Sequence, residues 1–215
     1  MPLFTPDQAL AFRNAEPFPH IVLDGFWSDD ELSMAAAEFP EPADPRWKTY
    51  RDPKEWGKRC MDEPHTWPRG VAQLMAHLQS PVMCEALEDL TGLRGITSDA
   101  VGGGMHMTGE GGRLDMHVDF NVHPDGKRLR KLNVLVFMNR EWNTEWGGTL
   151  YLGEDRDRAV FPGWNRMVIF ECSDKSWHGH PEPIVGGAWR KSVAAYFYVP
   201  MDEVVEAHTT TWLER

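Results

Sequence analysis

Trp189-Arg190-Lys191-Ser192-Val193-Ala194-Ala195-Tyr196-Phe197-Tyr198 reads as one long buried strand. Working back from it, short runs rich in Val, Leu, Phe, Tyr and Thr fall at about 95–101, 104–108, 113–119, 130–138, 148–152, 158–162, 166–170 and 177–183, with 189–199 as the last. Turn residues separate them, and no segment of helical period and length interrupts them. Many short strands at this spacing predict a sandwich, a jelly roll or a barrel. Gly102-Gly103-Gly104 and Gly109-Glu110-Gly111-Gly112 lack the strand-loop-helix setting and the Lys-Ser/Thr ending of a phosphate loop, so both read as β-turns.

Upstream of Gly95 the pattern is helical. Thr5-Pro6-Asp7-Gln8 has an N-cap, a proline at the first helical position and Gln at N3, a capping box for a helix through Arg13. Residues 17–24 read as extended. Ser28-Asp29-Asp30-Glu31 is a second capping box, for a helix towards Phe39 that Pro40, Pro42 and Pro45 end. Residues 40–66, rich in Pro, Trp and charge, read as a long loop with at most one strand. A third helix is expected from near Pro68 to Leu78, and a fourth from Ser80-Pro81 to Gly92. The expectation is one domain over 1–215: helical buttress and loops to about 92, then a β core over about 95–199.

Of 215 residues, 41% are hydrophobic and 26% charged, enough apolar content for a core. No run of 18 apolar residues predicts a membrane span, and no basic-then-apolar start predicts a secretory signal. The net charge of −11 argues against nonspecific nucleic-acid binding, which phosphate neutralisation drives. Cys60, Cys84 and Cys172 are odd in number and widely spaced, forming neither a zinc pattern nor a disulfide framework. A reducing compartment, the cytoplasm, is the expectation. Oligomeric state is not legible.

Three pieces carry chemistry. His117-Val118-Asp119 ends a predicted strand, where alternation turns an imidazole and a carboxylate to one side. Ser176-Trp177-His178-Gly179-His180-Pro181 can add a third ligand from another strand. Two His and one carboxylate leave coordination positions open, which suits non-haem Fe(II) that must also bind a co-substrate and O2. His178 and His180 are two apart, so alternation does not choose between them. In the 189–198 run, Arg190 and Ser192 share a face. A buried guanidinium is costly unless paired, and beside a hydroxyl it matches a carboxylate ligand.

In order, these pieces resemble the Fe(II)- and 2-oxoglutarate-dependent dioxygenases, closest to the prolyl-hydroxylase-like branch. The same resemblance extends to Pro17-Phe18-Pro19-His20-Ile21-Val22-Leu23-Asp24-Gly25-Phe26, to Asp119-Phe120-Asn121-Val122-His123-Pro124, to 130–139 and to Trp146-Gly147-Gly148-Thr149-Leu150. It implies a double-stranded β-helix, a jelly roll buttressed by helices, with Fe(II) held by His117, Asp119 and His178. The family's Pro-rich turn after the distal ligand, here Pro181 and Pro183, favours His178, and His180 then neighbours the metal or the substrate. Arg190 maps onto the residue that grips the distal carboxylate of 2-oxoglutarate, Ser192 assists, and Asn133 is a candidate for the cofactor's other end. Where relatives often carry a Tyr, about ten residues before His-x-Asp, this chain has Met105-His106-Met107.

The reaction so implied is hydroxylation of an unactivated C–H of a small-molecule or peptidyl substrate, with 2-oxoglutarate and O2 consumed and succinate and CO2 released. Asp119 fills the position that related halogenases leave small. Two other readings stand beside it: a non-catalytic metal-binding jelly roll, against which Arg190 and Ser192 speak, and an all-histidine cupin-like oxygenase without 2-oxoglutarate, against which Asp119 speaks. Lys127, Arg128, Arg130 and Lys131 cluster after Asp119, and Arg113 shares its strand face. They read either as a solvated charged turn or as a basic rim for an anionic substrate group.

Overall fold

The computed structural model describes residues 2–214. Four helices, α1 (Pro6–Arg13), α2 (Asp29–Ala37), α3 (Arg69–Leu78) and α4 (Pro81–Thr91), form where the caps predict. Thr5 and Gln8 close the first capping box in both directions. At the second, Ser28 accepts from the Glu31 amide, but the Glu31 carboxylate turns away to His77 on α3, 3.1 Å distant. Gly92 ends α4 with φ at 85°, a left-handed cap.

Among the described residues, twelve strands form two antiparallel sheets. They are β1 (His20–Asp24), β2 (Lys48–Asp52), β3 (Glu55–Met61), β4 (Thr97–Thr108), β5 (Leu114–Val118), β6 (Arg128–Phe137), β7 (Leu150–Leu152), β8 (Arg158–Val160), β9 (Arg166–Glu171), β10 (His178–His180), β11 (Arg190–Pro200) and β12 (Thr211–Trp212). The larger sheet runs β1-β9-β6-β11-β4-β3-β2, and the smaller β12-β5-β10-β7-β8. This is the expected jelly-roll architecture, with helices against one sheet.

Three expectations need correction. Residues 40–66 are not a loop with one strand: β2 and β3 make a hairpin there that extends the larger sheet. With β1, the first 92 residues thus give that sheet three strands as well as the buttress. Gly102-Gly103-Gly104 is not a turn. It lies inside β4, whose pairing with β11 jumps from Gly104↔Ala194 to Asp99↔Tyr196. That bulge joins the two predicted runs, 95–101 and 104–108, into one strand. At Gly104, with φ at 132°, a Cβ would lie 2.3 Å from the Met61 carbonyl oxygen, so glycine is what lets β3 come this close.

Alternation sorts the larger sheet into two faces. Met105 and Met107 of β4, Leu132, Val134 and Val136 of β6, and Val193, Ala195 and Phe197 of β11 join Leu74, Met75 and Leu78 of α3 and Leu87 and Leu90 of α4 in one buried cluster. The intervening residues, His106, Thr108, Asn133, Arg190, Ser192, Ala194 and Tyr196, face the space between the sheets. One side of the sheet is therefore core and the other is the wall of a cavity.

Candidate active site

His117 on β5 and His178 on β10 are directly opposed across the smaller sheet. Asp119 follows β5 by one residue. The ligand atoms of these three all lie within 4.8 Å of one another, on one wall of the cavity. The Asp119 carboxylate reaches His178 Nε2 at 3.3 Å and His117 Nε2 at 3.6 Å. Each imidazole is oriented by its own strand. His117 Nδ1 donates to the Asp115 carbonyl and His178 Nδ1 to the Ser176 carbonyl, both at 2.9 Å. A carbonyl only accepts, so Nδ1 carries the proton and Nε2 keeps its lone pair for a metal.

Electrostatics keep this set in ligating form. Burial, and then the neighbouring His178, hold His117 below its usual value of 6.5 and therefore neutral. Burial alone would raise Asp119. The Arg130 charge and the two imidazoles outweigh it and hold the carboxyl well below 3.8. Two nitrogens and one carboxylate oxygen on one side form a facial set with open positions, the donor chemistry that Fe(II) takes. His180 lines the cavity but is not in this set, and among the described residues its Nδ1 has no hydrogen-bond partner.

Arg190 faces the cavity from the larger sheet. Its Nε donates to the Gly148 carbonyl at 2.7 Å and its guanidinium lies 4.7 Å from the Phe137 ring. Gly148 has φ at 69°, and a Cβ there would press on the Arg190 side chain at 3.0 Å. The Trp-Gly-Gly segment thus lays its backbone against the guanidinium. Among the described residues no carboxylate pairs with Arg190, and burial alone pushes it down to about 9. A buried cation without an anion, with the Ser192 hydroxyl on the same face, fits the distal carboxylate of 2-oxoglutarate. Asn133 also faces in, its amide 3.5 Å from Asp119 and its Oδ1 without a partner.

The structure takes Arg130 out of the basic rim. Arg130 is 2% exposed and bonds Asp119 Oδ2 at 2.7 Å, with its guanidinium 3.4 Å from the Tyr196 ring. A bulge explains it. β6 and β11 pair Leu132↔Phe197 and then Arg130↔Tyr198, which skips Lys131 and turns Arg130 inward. Arg128 pairs with Asp99 and Asp125, and Arg113 with Asp115 and the Pro53 carbonyl. Arg130 is therefore the counter-charge of the candidate metal carboxylate and not an entrance cation.

Four polar cavity residues were given no role from the sequence: Lys58, His106, Thr108 and Tyr196. Tyr196 follows from alternation along β11 from Arg190 and Ser192. His106 occupies the strand on which relatives place a Tyr. Burial, then Lys58, lowers it to about 3, and its Nε2 has no partner.

Residues 103–198 match the family model of the 2OG-Fe(II) oxygenase superfamily. The match covers less than half of the chain and includes His117, Asp119, His178 and Arg190. Among curated proteins, the chain is 28% identical over 86 residues to prolyl 3-hydroxylase OGFOD1 of Mus musculus, an alignment covering 36% of this chain and 16% of that relative. A prolyl-4-hydroxylase of Pseudomonas putida superposes with a TM-score of 0.64 at 17% identity, covering 90% of this chain and all of the other. HygX of Streptomyces hygroscopicus, solved with nickel, 2-oxoglutarate and hygromycin B, gives 0.62 at 15%, covering 93% and 88%. At these identities the superpositions speak for the fold, and they agree with the jelly roll described above.

Proposed function

We propose that this protein is a 2-oxoglutarate-dependent hydroxylase acting on a C–H bond of a peptidyl or small-molecule substrate. The observation that carries this reading is the facial His117–Asp119–His178 set facing the same cavity as the unpaired Arg190. His117, Asp119 and His178 would hold Fe(II). Arg190 and Ser192 would grip the distal carboxylate of 2-oxoglutarate, and Asn133 would serve its other end. When bound, the metal and 2-oxoglutarate would supply the oxidising chemistry, with O2 consumed and succinate and CO2 released.

The chain's own work is positional. His117, Asp119 and His178 converge from one wall of the cavity and would leave positions on a bound metal open to co-substrate and O2. Leu114, Leu135, Leu150 and Ala194 line the cavity and limit bulk water. Arg130 keeps Asp119 ionised. The curated relative named above is a prolyl hydroxylase, which supports a prolyl residue in a peptide as the first substrate to test. The Asp119 carboxylate favours hydroxylation over halogenation.

The test is succinate formation from 2-oxoglutarate with Fe(II), screened across proline-containing peptides, amino acids, nucleosides and sugars, with the product identified by mass. Substrate-stimulated succinate and a product heavier by one oxygen are expected, both absent in Asp119→Ala. Wild-type protein that neither binds 2-oxoglutarate nor forms succinate would overturn the reading. A chlorinated product in chloride buffer would overturn the choice of hydroxylation.

A further inference from the structure

Three neighbouring strands of the larger sheet present their side chains to the cavity in register. Thr108 on β4 is paired with Lys58 on β3 to one side and with Arg190 on β11 to the other. In the next inward-facing row, His106 lies between Cys60 and Ser192. Lys58, Thr108, Arg190, His106 and Ser192 all line the cavity. The wall is thus two cations flanking a hydroxyl, with a second hydroxyl and a neutral imidazole beside them.

The charge of Lys58 is felt inside this space, since it helps to lower His106. Glu55, three residues earlier at the start of β3, accepts from its ammonium at 3.2 Å, and the Tyr50 ring centroid lies 4.9 Å from it. An ammonium has three donors, so one contact to Glu55 leaves it able to take a second anion. Adjacent strands lie about 4.8 Å apart, so side chains two strands apart, on either side of Thr108, can close on one carboxylate.

We propose that Lys58 is a second cation for the distal carboxylate of 2-oxoglutarate, acting across Thr108 from Arg190. The inference rests on the hydroxylase reading above and deepens it. It places a co-substrate contact on the β2–β3 hairpin, outside the stretch 103–198 that matches the oxygenase family. Binding of the co-substrate would then tie that hairpin to the core.

The test measures dissociation constants by calorimetry on the full chain loaded with Mn(II) or Ni(II), without prime substrate. The probes are 2-oxoglutarate and 2-oxovalerate, which has the same chain length but no distal carboxylate. Wild type is expected to prefer 2-oxoglutarate strongly. Lys58→Met should weaken 2-oxoglutarate about tenfold, a charged hydrogen bond's worth, and leave 2-oxovalerate unchanged. Lys58→Arg should recover most of the loss, and Glu55→Gln, which removes the competing anion, should tighten 2-oxoglutarate. An unchanged 2-oxoglutarate constant in Lys58→Met, with folding verified by its melting curve, would overturn the proposal. So would an equal loss for 2-oxovalerate, which would mean that Lys58 does not act on the distal carboxylate. Failure of wild type to bind 2-oxoglutarate would instead refute the function itself.

Discussion

The two sheets divide the work of the molecule. The larger has long strands, 12 residues in β4, 10 in β6 and 11 in β11, with one face sealed under helices. The smaller is built from fragments: β7, β8 and β10 have three residues each and β12 has two. Yet both histidines of the candidate metal set are on the smaller sheet, and Arg190, Ser192, Asn133 and Lys58 are all on the larger. A reaction that joins a metal to an organic acid is thus assembled between two surfaces. Short strands suffice for the metal side because each ring is pinned to a carbonyl of its own strand. The proposed acid side would draw its donors, Lys58, Asn133 and Arg190, from β3, β6 and β11 of the larger sheet.

The sharpest way to break this division is to remove a ligand from the smaller sheet. His178→Ala should lower Fe(II) affinity by orders of magnitude and leave the fold intact. His180→Ala should still bind one Fe(II). Iron retained in the first variant and lost in the second, by anaerobic titration, would reverse the ligand choice.

Arg130 crosses the division, since it comes from β6 of the larger sheet and bonds Asp119 beyond β5 of the smaller. Arg130→Met leaves a buried carboxylate with Asn133 at 3.5 Å as its remaining amide partner. Stripping one member from a buried pair costs about 3–5 kcal/mol. Denaturant unfolding of the metal-free protein should show a loss of that order, partly recovered in Asp119→Asn/Arg130→Met. A single variant as stable as wild type would mean that the two sheets are not tied here.

A smaller effect belongs to the larger sheet alone. Arg190→Met keeps much of the stem and removes the charge, so 2-oxoglutarate affinity should fall roughly 10- to 150-fold. Metal affinity measured without the co-substrate should not move. A change in the metal constant would show that the two walls are not independent.

The mildest test is pH. Metal binding needs neutral imidazole, and His117 is held below 6.5, so its neutral form survives as pH falls through that value. By NMR of the metal-free protein, the His117 ring should stay neutral from neutral pH down past 6.5 and take up its proton only lower. A His117 titration centred at or above 6.5 would contradict the buried, neutral ring.

Much of this was legible in the sequence because local rules sufficed. Caps and prolines located the helices, and alternation put His117 beside Asp119 and Arg190 beside Ser192. What escaped was set by departures from alternation. The bulge at Lys131 moves Arg130 from a presumed rim to the interior, and no residue type there announces it. The bulge at Gly102–Gly104 reads equally well as a turn until its partner strand is known. The β2–β3 hairpin lies in a stretch of Pro, Trp and charge whose strand character comes from pairing with β4. Lys58 was therefore out of sight, whereas Tyr196 was within reach of the same two-residue step that found Ser192.

The locked tautomers have a practical corollary for whoever purifies this protein. Two imidazoles fixed in place, beside an ionised carboxylate, give an incoming ion its donors with little rearrangement. Such a site discriminates by shape and donor type. For a given donor set, divalent affinity rises from Mn and Fe towards Ni and Cu. The ion found in a preparation will accordingly record the growth medium and the affinity column more than any preference of the polypeptide, and iron will have to be restored under anaerobic conditions before turnover is judged.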